Sequence, residues 1–507
     1  MSTTTNKKWY SGMLSTEDWW SAWLGLFFFA LGLLSIWGLD AVGWIAKPKT
    51  WEFSNLIADF SWSKLIKTSS KGYSNLHPLI SLLTTYIVFV SLTGIGAYFQ
   101  KLNVKKYLFG FTVIFGLTWL AWIVGHEAHF DAIDAVVKGK NNYQKFDLSW
   151  GLQLGGGFSF LLALAIGLAI GNFFKGFADK IREAAKPEWF IKTAIVLLGI
   201  KLGMMSMKAA GFTFELALAG AAAAFVAYLL IWPVVYFVGR KYFKLNRSSA
   251  AVLSSGISIC GVSASIATAG AIKAKPIIPI AVSTLIVVYA MFELVILPPI
   301  YTNVAPNQPI VNGAAMGMTV KTDGADAAAG AILDELMVSK HLKFTGEKWE
   351  DDYILSAALL TKIWIDVFIG IWSFVLAIVW IRNVDKKKNK RKEKIPWSEI
   401  WFRFPKFVIA YTLVWLIYLA MMYFFPSESS DVLSLAKTGG NITQGTFRKF
   451  MFMLTFLSIG VITDFSKLKG MGRLALLYAI ALFAFIAPLA YLIAYIFHHG
   501  MMPPIIK

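Results

Sequence analysis

Two interrupted stretches hold most of the residues whose types could do chemistry. The first, SSGISICGVSASIATAGAIKAKP (254–276), carries Gly256, Gly261, five serines, the lone Cys260 and Thr268 where a membrane helix would carry leucine. Unpaired backbone groups are not tolerated in lipid, so such a run predicts a helix broken against an interior site. A broken helix exposes free N–H groups and the positive end of a half-helix dipole, which suit an anion. Ser258, Ser263 and Ser265 add hydroxyls, and Gly261 adds a backbone N–H. Close helix packing through small residues is the competing reading. The second stretch, GMTVKTDGADAAAG (317–330), places Lys321, Asp323 and Asp326 in an Ala/Gly/Met run, beside Thr319 and Thr322. Ionisable groups at membrane depth are costly and are usually paired or functional. Lys321 either pairs with Asp323 or Asp326, or binds an anionic substrate while an aspartate carries a coupling proton or sodium. An exposed Lys-Thr-Asp-Gly turn is the alternative. Lys362 and Asp366, four apart in LLTKIWIDVFIG, share a helix face and read as a neutralised pair or part of an ion pathway. Glu293 and Lys201 stand alone in apolar spans, and Asp464 ends one.

Other chemistry is excluded or disfavoured. GHEAHF (125–130) lacks the His-Glu-x-x-His spacing of a metalloprotease, so no metal site is expected there. Cys260 has no histidine in a neighbouring span and reads as a small buried thiol. One cysteine permits no intrachain disulfide. No G-x-x-x-x-G-K-[ST] run is present, so an energised primary pump would need a partner subunit; no nucleophile–base pair or metal cluster is read at membrane depth, so no enzyme is anticipated, and no cofactor is expected beyond sodium or a proton as coupling ion.

The elements that must position these residues are membrane helices. Of 507 residues, 57% are hydrophobic and 15% charged. Apolar runs long enough to cross about 30 Å of hydrocarbon recur from end to end. They predict an all-α polytopic membrane protein with spans at 19–38, 77–99, 105–125, 152–174, 190–208, 211–238, 277–301, 353–381, 403–425, 442–465 and 473–497. With the interrupted segments 247–272 and 310–335 the total is about 11–13 transmembrane segments. The Trp-bearing stretch 41–76 suits an amphipathic helix in the interface plane. No cleavable signal peptide precedes the first span.

The net charge of +19 does not point to nucleic acid, because the basic residues concentrate in short loops. KKKNKRKEK (386–394) alone holds seven and suits anionic headgroups. With Lys7 and Lys8 inside, alternation of the spans puts QKLNVKK, KGFADKIREAAKPE, GRKYFKLNR, KKKNKRKEK and DFSKLKGMGR all inside and the C-terminus outside. Two crossing or two re-entrant interrupted segments leave this unchanged, except for the side of Lys273 and Lys275. IVLLGIKLGMMSMKAAG (195–211) and TFLSIGVITDFSKLKG (455–470) share a pattern in spans of opposite direction, as an inverted repeat would.

From about residue 150 the chain resembles the YeiH-like sulfate exporter family. The resemblance rests on LALAIGLAIGNFF, IVLLGIKL, SGISICGVSASIATAGAIKAK, TKIWIDVFIGIWSFVLAIVW, IPWSEIWFRFPKF and LSIGVITDFSKLKGMGRLALL, with the SICG-x-SA core the most specific. It implies a secondary transporter with inverted repeats and interrupted helices, distantly like the bile-acid/sodium symporter and sodium/proton antiporter folds. It implies outward movement of a small oxyanion, such as sulfate or sulfite, across the cell's plasma or inner membrane. The family often carries His-Asp in a G-A-S-I-H-D-T-like run; here Lys321 and Thr322 stand at those places. Residues 1–150 form an extension with three spans before a core at 151–507, and they either mediate homo-oligomer contacts or shield a face. The reading is therefore Ser258, Gly261, Ser263, Ser265, Thr319, Lys321 and Thr322 around a small anion, with Asp323, Asp326, Lys362 and Asp366 for the coupling ion. A sodium or proton/cation antiporter on the same fold, or an anion channel, are the rivals.

Overall fold

The computed structural model describes residues 10–135, 141–208, 210–275, 277–380, 401, 404–425, 431–468 and 472–506. The basic block 386–394 and Lys7 and Lys8 lie outside the described residues. The helices that matter are α1 (Glu17–Leu33), α2 (Pro78–Phe99), α3 (Val104–Gly125), α4 (Gly157–Phe173), α5 (Pro187–Lys208), α6 (Ala210–Lys241), α7 (Arg247–Ser258), α8 (Gly261–Ala271), α9 (Ile277–Val304), α10 (Pro309–Thr319), α11 (Asp323–Thr345), α12 (Tyr353–Val379), α13 (Lys406–Phe424), α14 (Asp431–Ile462) and α15 (Gly472–His498). Among the described residues nine helices are long and apolar enough to cross a membrane, or ten counting α4 with the short helix bent 115° from its end. α13 is a shorter apolar helix. Every uninterrupted apolar run of the sequence is thus a helix, and the protein is an all-α polytopic membrane protein.

The stretch 41–76 departs from expectation. It forms a two-stranded antiparallel hairpin, β1 (Ala46–Pro48) with β2 (Ile66–Thr68), and short helical turns between the strands. Pro48 cannot continue a helix, and the side chains of Glu52 and Ser61 each start a fresh turn by accepting backbone N–H bonds. No single amphipathic helix can run through those stops.

The helices pack in two groups. α6 to α12 and α15 pack chiefly on one another; α1 to α5, α13 and α14 form the other group. Small residues let the second group close tightly. A side chain at Gly167 or Gly460 would collide with the facing backbone of α14 or α4, so these helices touch through glycine. α5 is almost wholly buried in this group, with Trp189 and Phe190 inaccessible.

Contacts fix which loops share an end of the bundle. Lys175 pairs with Asp464, Asn103 N–H donates to Glu183, and Gly239 faces Leu477. The basic loops at 100–106, 174–186, 239–247 and 464–468 therefore gather at one end, with the start of α1. The C-terminal segment pairs with residues 348–350 at the opposite end, through Trp349 and Ile505.

Candidate functional site

The two interrupted segments are re-entrant hairpins that enter from opposite ends and meet tip to tip. In the second hairpin, Gly313 faces Ile354 and Gly317 faces Ala358, so α10 runs parallel to α12. Gly330 faces Leu355 and Ala358, and Asp334 accepts N–H bonds from Asp352, Ile354 and Leu355 at 2.9–3.2 Å, so α11 runs back antiparallel. Lys340 Nζ reaches Thr302 O at 3.1 Å and Asn303 Oδ1 at 2.8 Å, tying the exit of α11 to the end of α9. In the first hairpin, Gly256 and Gly261 both lie against Ile286, nine residues into α9. The chain leaves the tip through α8 and returns to the same depth through the start of α9. α9 runs parallel to α15, since Tyr289 bonds Ala475 O, Tyr478 bonds Glu293 and the Tyr301 ring packs tilted against Tyr491. Lys273 and Lys275 accordingly lie at the basic end.

The breaks are local chemistry. α7 stops at Ser258, where Ile259 leaves helical geometry (φ −115, ψ −104), and Cys260 starts α8 without a side-chain cap. α10 stops at Thr319; Val320 is extended, and Thr322 caps α11 through its hydroxyl, which accepts from Ala325 N–H at 3.2 Å. The tips join where Gly261 N–H donates to the Lys321 carbonyl. A Cβ at Gly261 would run into Ile286 and come 3.0 Å from that carbonyl, so only glycine allows the approach.

A constellation of ionisable groups surrounds this junction. Lys362 Nζ donates to Ile259 O at 2.9 Å and stands 3.8 Å from Asp323 and 3.7 Å from Asp366. Cys260 Sγ donates to Asp323 Oδ1 at 3.2 Å. Lys321 Nζ donates to Met318 O. Tyr478 donates to Glu293 Oε1 at 3.0 Å. Among the described residues no hydrogen-bond partner reaches either oxygen of Asp326 or the Ser258 hydroxyl. Lys321, Lys362, Asp323, Asp326, Asp366 and Glu293 are each at most 4% exposed. Two ammoniums face four carboxyls, so the fully ionised cluster would carry two net negative charges. Burial at that charge is strongly unfavourable, and the cluster is balanced only with protons or bound cations.

The fold therefore brings together Ser258, Gly261, Lys321, Asp323, Asp326, Lys362 and Asp366. Ser263 is half-buried in the first turn of α8. Ser265 donates to Gly261 O and Thr319 to Ala315 O, each within its own helix. Glu293, alone in sequence, joins the cluster. Lys201 does not: it pairs with Glu350 at 2.9 Å. Asp464 lies at the basic end, 3.1 Å from Lys175. In GHEAHF, His129 pairs with Glu127 and His126 bonds Trp122 O.

Sequence reasoning missed the residues that join the two helix groups. Glu188 Oε1 would lie 3.3 Å from a Cβ at Gly324, beside the second tip, and its side chain stays 36% exposed. Lys192 links it to Asp18 of α1, at 3.7 and 3.5 Å. At the other end Arg448 binds Asp352 at 2.7 Å and Lys449 binds Glu335 at 3.0 Å. With Lys201–Glu350 these pairs set basic residues of one group on acidic residues of the other. The i,i+4 spacing of Glu188 and Lys192 was the available signal; Arg448 gave only a charge in an apolar run.

A family described as "Conserved hypothetical protein 698" matches residues 157–479, well over half the chain. A UPF0324 membrane protein of Nitrosomonas europaea is 57% identical over 501 residues, covering 99% of each chain. The chain belongs to this UPF0324 membrane protein family. Another member, from Rhodopirellula baltica, is 30% identical over 445 residues, 86% of this chain and 68% of its own length. One from Nitratidesulfovibrio vulgaris is 28% identical over 451 residues, 87% of this chain and 67% of its own. No solved structure matches. The span matched to the family contains both hairpins, the whole buried cluster and Arg448.

Proposed function

We propose that this UPF0324 member is a secondary transporter of a small anion, of the sulfate, sulfite or sulfonate class, working by alternating access with a coupled proton or sodium. The observation that carries the reading is the tip-to-tip meeting of two opposed hairpins over a buried, charge-unbalanced cluster. Interrupted backbone at membrane depth, with the second tip bordering the other helix group at Glu188, is what a midplane transport site requires. The N-terminus of α8 offers N–H groups that no side chain caps, with the Ser263 hydroxyl half-accessible beside them. Lys321 supplies the nearby cation. Asp323, Asp326 and Asp366 take up the coupling ion, because an anion joins a cluster already rich in carboxyls only when protons or sodium join it too. Movement is one helix group shifting against the other, with the pairs Arg448–Asp352, Lys449–Glu335 and Lys201–Glu350 releasing and reforming. The positive-inside bias favours a cytoplasmic face for the basic end of the bundle and the N-terminus, with the C-terminus outside. Outward transport across the plasma or inner membrane follows from the family resemblance. No catalytic role or nucleic-acid partner is proposed.

The test is a thermal-shift screen of the purified protein with sulfate, sulfite, thiosulfate, sulfonates, sodium and lithium, on wild type and Lys321→Ala. A ligand that binds only the folded state raises the melting temperature. Stabilisation by a sulfur oxyanion that disappears in Lys321→Ala supports the reading. The excess of carboxyls specifically favours a second reading, a cation antiporter. It would show as stabilisation by sodium or lithium alone, lost in Asp323→Asn and kept in Lys321→Ala.

A further inference from the structure

Cys260, Asp323 and Asp366 come from three different elements: the cap of α8, the first residue of α11 and the middle of α12. One ligand atom from each, a thiol sulfur and two carboxylate oxygens, lies within 4.8 Å of the others, and all three residues are buried. Asp366 is 1% exposed, and among the described residues no N–H or O–H donor lies in hydrogen-bond geometry to its oxygens, Lys362 standing off at 3.7 Å. The thiol already points its proton at Asp323. We propose that these three residues form a binding site for a thiophilic divalent cation of the zinc class.

Three arguments carry it. Thiolate plus carboxylate is a donor set that zinc and cadmium accept, at about 2.3 Å to sulfur and about 2.0–2.2 Å to oxygen, and a modest contraction of the trio reaches those distances. The charge moves toward balance: the fully ionised cluster carries −2 with a neutral thiol, and a dication that displaces the thiol proton brings it to −1. In a membrane interior the less charged arrangement is favoured. The proposed route of access is past Val262 and Ser263, two and three residues beyond Cys260, which are only partly buried. Lys362 is the competing cation. Its ammonium stands 3.7–3.8 Å from both carboxylates, and it keeps the Ile259 carbonyl as partner when a metal takes them. A bound ion would bridge the tips of both hairpins to α12 and hold them in one arrangement. The inference is independent of the anion-transport reading, since it concerns binding alone.

The chain has one cysteine, so a metal–thiolate signal can come only from Cys260. Purified full-length protein is titrated with cadmium while the ultraviolet thiolate-to-metal charge-transfer band is followed. Zinc protection of the thiol from iodoacetamide is measured in parallel. The expected result is a saturable band in wild type and none in Cys260→Ser. Binding should weaken at least about tenfold in Asp366→Asn and Asp323→Asn. No band in wild type at saturating cadmium overturns the proposal. So does a band whose affinity is unchanged in both aspartate variants, which would mark a lone thiol. Failure of zinc to slow alkylation of the folded wild type also counts against it, whatever the stability of the variants.

Discussion

Replacing Gly261 by alanine tests the junction of the hairpin tips. The added Cβ has no room: it meets the Ile286 side chain on one side and the Lys321 carbonyl, 3.0 Å away, on the other. Overpacking of this kind costs about 1–3 kcal/mol. The tips must also part, which leaves the Gly261 N–H and the Lys321 C=O buried without partners, at about 1–3 kcal/mol. The predicted loss is thus ~2–6 kcal/mol. The matched control is Gly116→Ala in α3, where a Cβ meets nothing within 4 Å. There alanine should gain about 0.5–1 kcal/mol through helix propensity. The two Gly→Ala changes should therefore shift stability in opposite directions. Thermal unfolding of purified protein followed by tryptophan fluorescence reads both. If Gly261→Ala is as stable as Gly116→Ala, the tips do not touch as described and the site built on their contact fails.

Lys362→Met should destabilise by ~3–5 kcal/mol, because it leaves the buried Asp323 and Asp366 without their cation; chemical denaturation of purified protein measures it. Asp326→Asn should keep or raise the melting temperature, since among the described residues no donor reaches the native carboxyl, yet it should abolish coupled flux in proteoliposomes. Arg448→Ala should cost ~3–5 kcal/mol in the same denaturation assay, by stranding Asp352 in a pair only 2.7 Å long. Asp464 gives a pH signature. A hydrogen bond from the Ser466 hydroxyl, helped by Lys175, holds its carboxyl at about 2. A depressed carboxyl stabilises the fold fully above its unfolded value of about 4, and the contribution is lost as pH falls toward 2. The stability gap between wild type and Asp464→Asn should therefore narrow between pH 5 and about pH 3.

Much of this was legible in the sequence. Apolar runs gave each uninterrupted helix, because hydrocarbon thickness fixes their length. The Gly/Ser-rich 254–276 and the Lys-Thr-Asp-Gly run marked both breaks, because lipid forbids idle polar backbone. Loop charge grouped the described basic loops at one end. What the sequence withheld depends on contacts far apart in the chain. Whether the interrupted segments cross or turn back is decided by Gly313 facing Ile354 and by Lys340 reaching Thr302. The partnership of Glu293 with Tyr478, 185 residues on, has no local signal. The stretch 41–76 misled because its tryptophans and apolar residues mimic a helical stripe, while Pro48 and the caps at Glu52 and Ser61 break it.

The most direct test of the central claim is flux. Protein in proteoliposomes is given labelled sulfate or sulfite under an imposed pH or sodium gradient, with Lys321→Ala and Asp366→Asn alongside wild type. Wild type should move the anion, the gradient should change the rate, Lys321→Ala should stop it, and Asp366→Asn should uncouple it from the gradient. Anion movement that ignores the gradient in wild type would contradict the coupled transporter and leave a channel. Sodium–proton exchange without anion flux would contradict it in favour of the cation antiporter.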